Sequence, residues 1–229
     1  RRKEKMLYAF SDKIGCMSQA NVDYVLKHNP EIAEDRVEVS PNCVDVVDMS
    51  ISQEKREELR RKYNIPLDKK VFVYGGNLGK PQGIGFMMKC FSALSDNEDV
   101  FFLVVGSGTE YKKIEQFVRD EKPENVMLME SLPKDEYDAM VACCDVGLIF
   151  LDHCFTIPNF PSRLLSYMQV SLPVLACTDP NTDMGRVIRE GGFGWWCESN
   201  DAEAFCRTVE TAVEAPLKEM GARGREYLF

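Results

Sequence analysis

Phe160-Pro161-Ser162-Arg163-Leu164-Leu165-Ser166-Tyr167-Met168, followed by Leu172-Pro173-Val174-Leu175-Ala176, decides how this 229-residue chain reads. The first stretch predicts a helix with a positively biased start, and the second a short buried strand. Helix N-termini draw anions because their first amides point outward unpaired. A glycine cluster, Gly75-Gly76-Asn77-Leu78-Gly79, stands upstream. Together these segments imply a domain that holds the diphosphate of a nucleotide against backbone amides.

Working outward, five short apolar runs begin at Val71, Val100, Val126, Val146 and Pro173, spaced 29, 26, 20 and 27 residues apart. Helical patterns lie between them. Ile84, Met87, Met88 and Phe91 share one face at i, i+3, i+4 and i+7. Ile114, Phe117 and Val118 form a second stripe, and Tyr137, Met140, Val141 and Cys144 a third. Strands alternating with helices at this period imply βαβ units and a parallel sheet. The runs are continuously apolar, as strands covered on both faces are. The predicted fold class is therefore α/β, a doubly wound, Rossmann-like parallel sheet. Ser50 or Ser52 is placed to cap a charged helix from Glu54 to Tyr63, and Asn200-Asp201 opens a late helix with Glu203 set for a capping box. A further helix runs from about Pro216 to the end. Residues 1 to 49 do not follow the repeat. They suggest helices over Lys5–Lys13 and Asn21–His28 and a strand at Arg36–Ser40.

The net charge of −9 argues against general attraction to nucleic acid. No run of about 18 apolar residues exists, so no membrane-spanning helix is expected. The nine cysteines form no CxxC pair. Cys90, Cys143, Cys144 and Cys177 sit in apolar segments and read as reduced, buried thiols. The chain begins Arg1-Arg2-Lys3, without a methionine or an apolar leader, and reads as a piece of a longer cytoplasmic protein.

Open α/β sheets bind ligands beyond the carboxyl ends of their strands. Tyr74-Gly75-Gly76-Asn77-Leu78-Gly79-Lys80-Pro81-Gln82-Gly83 lets backbone approach a phosphate closely, yet it is neither a Walker loop nor GxGxxG, and a plain turn reads equally well. Gly106-Ser107-Gly108-Thr109 reads as a tight turn with Thr109 as N-cap, or as part of a site. Ser131-Leu132-Pro133, with Tyr137 one turn on, offers a place for a base to stack, or simply a helix start. The fourth loop, Leu151 to Pro161, is long for a compact α/β domain, which favours function. It carries His153, more often structural when alone. Arg163 in the first helical turn opposes the helix dipole unless an anion is present. No DxD triplet or paired acid-base carboxylates are found.

With these residues in view, the chain from about Ser50 onward resembles the C-terminal, donor-binding domain of GT-B glycosyltransferases of the retaining family 4 type. It is most similar to bacterial capsule and O-antigen enzymes that use UDP-sugars. The likeness rests on Tyr74-Gly75-Gly76-Asn77-Leu78-Gly79 with Gln82-Gly83, Leu103-Val104-Val105-Gly106-Ser107-Gly108, Cys144-Asp145-Val146-Gly147-Leu148-Ile149, Phe160-Pro161-Ser162-Arg163, Leu172-Pro173-Val174-Leu175-Ala176 and Gly192-Phe193-Gly194. Ala9 to Ile14 and Val39-Ser40-Pro41-Asn42 resemble the end of the N-terminal domain and the interdomain link, which sets the expected boundary at 49/50. The resemblance implies sugar transfer from a nucleotide-sugar, without metal or other cofactor, to a polysaccharide or lipid-linked acceptor, at the inner face of the membrane or in the cytoplasm. It implies catalytic roles for Lys80 and Arg163. Donor contacts would come from Gly75, Gly76, Asn77, Gly79, Gln82, Gly106, Leu132, Tyr137, Pro161, Ser162 and Ser166. The acceptor would enter from an N-terminal domain that these residues do not contain.

Several positions depart from the family pattern. Two glutamates often stand eight residues apart around the helix start, one toward the sugar and one toward the ribose; here Pro158 and Ser166 take those places. Near the arginine of the first loop stands Gly76 or Asn77, and Gln82 replaces its lysine. Ser171 stands where a glycine precedes Leu172-Pro173. These departures keep open a degenerate, non-catalytic GT-B domain that serves an assembly. An epimerase of the same fold is a third reading, disfavoured by the presence of only two histidines.

Overall fold

The computed structural model describes residues 2–229, with side chains from Lys3 onward. Its centre is a six-stranded, all-parallel sheet in the order β5-β4-β3-β6-β7-β8. The strands are β3 (Lys70–Asn77), β4 (Val100–Ser107), β5 (Val126–Met129), β6 (Val146–Phe150), β7 (Val174–Thr178) and β8 (Gly194–Glu198). The α/β, doubly wound class predicted from the sequence is the one observed. The five apolar runs became five of these strands. The sixth, β8, lies at an edge, and its Gly-Trp-Trp-Cys-Glu sequence has no unbroken apolar run; the other edge strand, β5, is equally half-buried but keeps Val-Met-Leu-Met.

Alternation along each strand divides the core between the two faces. Phe72 and Tyr74 point one way with Phe102, Val104, Leu148 and Phe150. Val71 and Val73 point the other way with Leu103, Val105, Ile149 and Ala176. The first face is covered by α4 (Ile84–Ala93), α5 (Tyr111–Glu121) and α9 (Ala202–Val213). The second is covered by α3 (Gln53–Lys62), α6 (Lys134–Ala142), α7 (Arg163–Gln169) and α8 (Met184–Glu190). Phe91 stacks on Phe102 with ring centroids 4.4 Å apart, and Phe205 lies 5.7 Å from Phe150. Each such buried phenylalanine stabilises the fold by about 1.5–3 kcal/mol. A final helix, α10 (Leu217–Tyr227), packs beneath α7, where Gly221 lies so close to the Ser171 carbonyl that a Cβ would stand 1.8 Å from it.

Ser52 is the cap of α3, its hydroxyl accepting from Lys55 N at 3.2 Å. Asp201 caps α9 through Ala204 N at 2.8 Å. Thr109 does not cap α5: the chain takes one further residue and the helix follows Glu110. Ser171, in the place of the family glycine, adopts the left-handed φ of +57° that makes glycine favourable there. At the end of the sheet away from the site, Asp145 accepts from Arg56, Arg60 and Val71 N at 2.6, 2.6 and 2.7 Å. Arg60 also donates to the carbonyls of Cys143, Pro66 and Lys69.

The first residues form a separate small core. α1 (Arg2–Phe10), β1 (Ile14–Cys16), α2 (Gln19–His28) and β2 (Val37–Val39) gather around Ile14, Cys16, Val22, Ile32 and Val37. β1 and β2 pair in parallel, apart from the main sheet. The pairing brings in Ile14–Cys16, a strand too short to stand out in the sequence. Met6, Leu7 and Phe10 of α1 are exposed.

Candidate functional site

The sheet itself makes the site. β3 pairs with β4 along its whole length, from Lys70↔Val100 to Asn77↔Ser107. With β6 it pairs only at Phe72↔Val146 and Val73↔Gly147. From β3 the chain winds outward to β4 and β5, and from β6 outward the other way to β7 and β8. The two central strands therefore separate beyond Val73, and the loops that follow them diverge. This is the topological switch point at which open α/β sheets bind ligands.

A cavity of about 510 Å³ opens there. Gly75, Gly76, Asn77 and Gln82 line it from the β3 side, and Tyr137 lines it from α6. Pro161, Ser162, Arg163 and Ser166 line it from the β6–α7 side. Nine of the thirteen residues singled out from the sequence thus meet around one space, although they come from three separate stretches of chain. The other four stand elsewhere. Lys80 is exposed, and Gly79 is buried in the turn. Leu132 packs on the second core, beside α6. Gly106 lies against the first loop, where a Cβ would come within 1.9 Å of the Gly76 carbonyl oxygen, so the packing of β4 on β3 already requires glycine there. His153 sits away from the cavity, its Nε2 3.2 Å from Asn200 Nδ2 and its Nδ1 4.0 Å from Glu198.

Arg163 is the charge of the site. Its Cζ lies 4.2 Å from the centre of the buried Tyr74 ring, a cation–π contact. On another side is Gly76, with φ +117°, where an added Cβ would stand 3.2 Å from Arg163 Nη2. Gly76 is therefore needed twice, for a backbone angle that side chains avoid and for the guanidinium beside it. Arg163 Nη1 is buried and meets no acceptor. Among the described residues its electrostatic neighbours are the phenols of Tyr74, Tyr167 and Tyr137, and no carboxylate pairs with it. A buried donor without a partner costs about 1–3 kcal/mol, more when charged, and this one sits on the wall of a cavity. Burial pushes the Tyr137 phenol up to about 12, so it stays neutral beside the guanidinium at ordinary pH.

The glycine turn is organised from within. Gln82 Oε1 accepts from Gly79 N at 3.1 Å and from Asn77 Nδ2 at 3.2 Å. Tyr74 Oη donates to Asn77 O at 2.8 Å. Gln82 itself lines the cavity. The predicted helix at Phe160–Pro161 starts later, at Arg163, and is only 7 residues long. Pro161 has no N–H, and the carbonyls of Pro161 and Ser162 accept from Leu164 N and Leu165 N at 3.2 and 3.0 Å. So short a helix adds little dipole, and the positive potential comes chiefly from the guanidinium.

The sequence assigned no contact to six further residues of the cavity wall, although three of them lie in the Leu151–Pro161 loop it marked as functional. Phe150, Leu151, Asn159 and Phe160 line it, as do Met17 and Asn42 from the first fifty residues. Asn42 follows Pro41 in the segment quoted as the link, but nothing local marks it as facing a site. Asn21 Nδ2 donates to Pro158 O at 2.6 Å, and Ala20 N donates to Asp183 at 3.2 Å, so the start of α2 is fastened to the same end of the sheet. Ser166 lines the cavity, and among the described residues no carboxylate does. Among the described residues no three histidine, cysteine or acidic side chains converge to hold a metal ion. No helix among them is long and apolar enough to cross a membrane.

Comparison with known proteins agrees with this fold. The fold is similar to that of Anabaena Alr3699/HepE, solved in complex with UDP and glucose, with a TM-score of 0.83 and 16% identity; the likeness covers 100% of this chain and 61% of that one. It is also similar to WaaG, a glycosyltransferase involved in lipopolysaccharide biosynthesis, with a TM-score of 0.73 and 17% identity over 94% of this chain and 58% of that one. These likenesses place the chain in the GT-B fold. In sequence it is 29% identical over 167 residues to the probable glycosyltransferase WbjE of Pseudomonas aeruginosa, which covers 72% of this chain and 42% of the relative. The chain spans about half the length of the curated relatives it matches, 42%, 52% and 44% of them. The family described as glycosyl transferases group 1 matches residues 55–227, most of the chain, and this chain belongs to that family.

Proposed function

We propose that the cavity between β3 and β6 holds the diphosphate of a nucleotide-sugar, and that residues 50–229 are the donor-binding domain of a transferase. The observation that carries this reading is Arg163: a guanidinium with a buried, unpartnered N–H, set under a glycine turn at the switch point, without a neighbouring acid. Such a group matches an anionic oxygen, carboxylate or phosphate, and the glycine turn at a switch point favours the phosphate. As the bond from sugar to diphosphate breaks, negative charge grows on the leaving group. Arg163, the Gln82 amide and the turn at Gly75–Gly79 stand where that charge would develop, and each well-placed donor contributes roughly 3 kcal/mol. Lys80, exposed two residues before Gln82, adds longer-range attraction. The reaction we infer is a retaining transfer that needs no metal, from a UDP-sugar to a polysaccharide or lipid-linked acceptor of the capsule or O-antigen kind, on the cytoplasmic side. Residues 1–49 are then the end of an N-terminal domain and the link, and the rest of that domain supplies the acceptor side of the cleft.

Calorimetric titration with UDP tests this, with GDP as control and EDTA present. Selective uptake of UDP supports the donor reading. Equal uptake of both nucleotides removes the assignment of the base, and no uptake even by the longer protein removes the donor site.

One observation favours a second reading. Among the described residues the cavity wall holds no carboxylate, and Pro158 and Ser166 stand where the family pattern has glutamates. A degenerate, non-catalytic domain serving an assembly would show this loss. It predicts no UDP binding at millimolar concentration in the longer protein.

A further inference from the structure

β3 and β6 pair only around Phe72 and Val73, so the backbone groups facing the gap beyond need other partners. One side chain supplies them. The Tyr167 hydroxyl lies 3.1 Å from Val73 O, 3.1 Å from Leu148 O and 3.3 Å from Gly75 N. A phenol has one hydrogen and can also accept. It donates to one of the two carbonyls at a time and accepts from the Gly75 amide. The side chain is fully buried, and Gly147 leaves it room: a Cβ there would stand 2.4 Å from the ring. From α6, Tyr137 packs closely on Gly75, where an added Cβ would stand 1.8 Å from its hydroxyl oxygen.

Tyr167 follows Arg163 by four residues, one turn along the same face of α7. We propose that Tyr167 is a positioning residue of the anion site. It fastens the start of the glycine turn and the helix that bears Arg163 to one point in the gap, so that guanidinium and turn meet the ligand in fixed register. This rests on the donor-site reading above. Tyr167 touches no substrate atom and transfers no proton; it acts through Arg163 and Gly75.

A residue that only holds the fold together and one that sets Arg163 differ in their coupling. The test titrates UDP into the 229-residue chain in four forms: parent, Tyr167→Phe, Arg163→Lys, and both changes together. Arg163→Lys keeps the charge and loses the fork, so binding stays measurable. Asn125→Ala, which removes buried hydrogen bonds to Leu94 O and Asn97 O far from the site, serves as the control for lost stability. Tyr167→Phe should weaken UDP binding about tenfold in the parent and less than about twofold in Arg163→Lys, with Asn125→Ala leaving affinity unchanged. The same factor in both backgrounds, or no loss from Tyr167→Phe, overturns the inference while the donor site stands. A parent chain and a longer protein that both fail to take up UDP overturn the donor reading itself, and this inference with it. If Tyr167→Phe does not fold, Gly147→Ala, which displaces the ring and keeps the hydroxyl, takes its place in the cycle with the same expected outcomes.

Discussion

Replacing Arg163 with glutamine separates a ligand-binding arginine from a structural one, because affinity and stability should respond differently. In the free chain, the guanidinium gains a cation–π contact with Tyr74 at 4.2 Å and loses by keeping Nη1 buried without an acceptor. The contact is worth roughly 0.5–2 kcal/mol, and the unpaired donor costs about 1–3 kcal/mol. These terms oppose each other, and their central values, about 1.2 and about 2 kcal/mol, leave Arg163→Gln within about 1 kcal/mol of the parent. For a chain of this length that is a melting shift of about 2–4 °C. With a diphosphate bound, the same side chain makes charge-assisted hydrogen bonds worth about 1.5–3 kcal/mol each. Two such bonds, partly replaced by the glutamine amide, leave a loss near 3 kcal/mol, or a Kd for UDP more than about a hundredfold weaker. Calorimetry gives the affinity, and a circular-dichroism melt of the same samples gives the stability. Affinity unchanged within about threefold would refute the reasoning. So would a melting point lowered by ten degrees or more, since Arg163 would then be a structural residue.

Three further outcomes are expected. Asp145→Asn leaves Arg60 buried without its carboxylate and should destabilise the fold by about 3–5 kcal/mol, seen as a lower urea midpoint, while UDP affinity per folded molecule stays the same. Of the nine cysteines, the exposed Cys43 and Cys154 should react quickly with a thiol reagent under native conditions, Cys206 more slowly and the buried six only on unfolding; burial pushes the Cys90, Cys144 and Cys177 thiols up, so few thiolates form there. Tyr137 ionises near 12 when folded and near 10 when unfolded. Its contribution is therefore present below pH 10 and lost as the pH rises toward 12, at most about 2–3 kcal/mol, and Tyr137→Phe should flatten that part of a stability profile measured by urea melts.

How much of this was legible in the sequence depends on the distance over which each signal acts. The strands were legible because burial on both faces writes an unbroken apolar run, as in Val100 to Val105. β8 was not, because a glycine and a glutamate bound its three apolar residues, whereas the other edge strand, β5, keeps an unbroken Val-Met-Leu-Met although it too is half-buried. Arg163 was legible as an anomaly: a cation at a helix start conflicts with the local dipole, and the conflict asks for an anion. The structure moves the helix start and shortens the helix, so the guanidinium itself carries most of the positive potential.

The glycines show where local reading ends. Gly76 and Gly106 stand at equivalent positions in neighbouring strands, paired in register, and both follow apolar runs. In the sequence they are equal candidates for a phosphate loop. In the fold, the strand beside each decides the matter. Gly106 is pressed against the Gly76 carbonyl within the paired sheet, whereas Gly76 borders the gap where β6 has left β3. Tyr167 depends on the same gap and was invisible for the same reason. In the sequence it is one more apolar-face residue of a helix, and only the separation of two strands more than 70 residues apart turns its hydroxyl into their bridge. A site built at a switch point is thus written half in residues and half in strand order. The residues name the guanidinium and the glycines, but which of them meet follows from where the sheet opens.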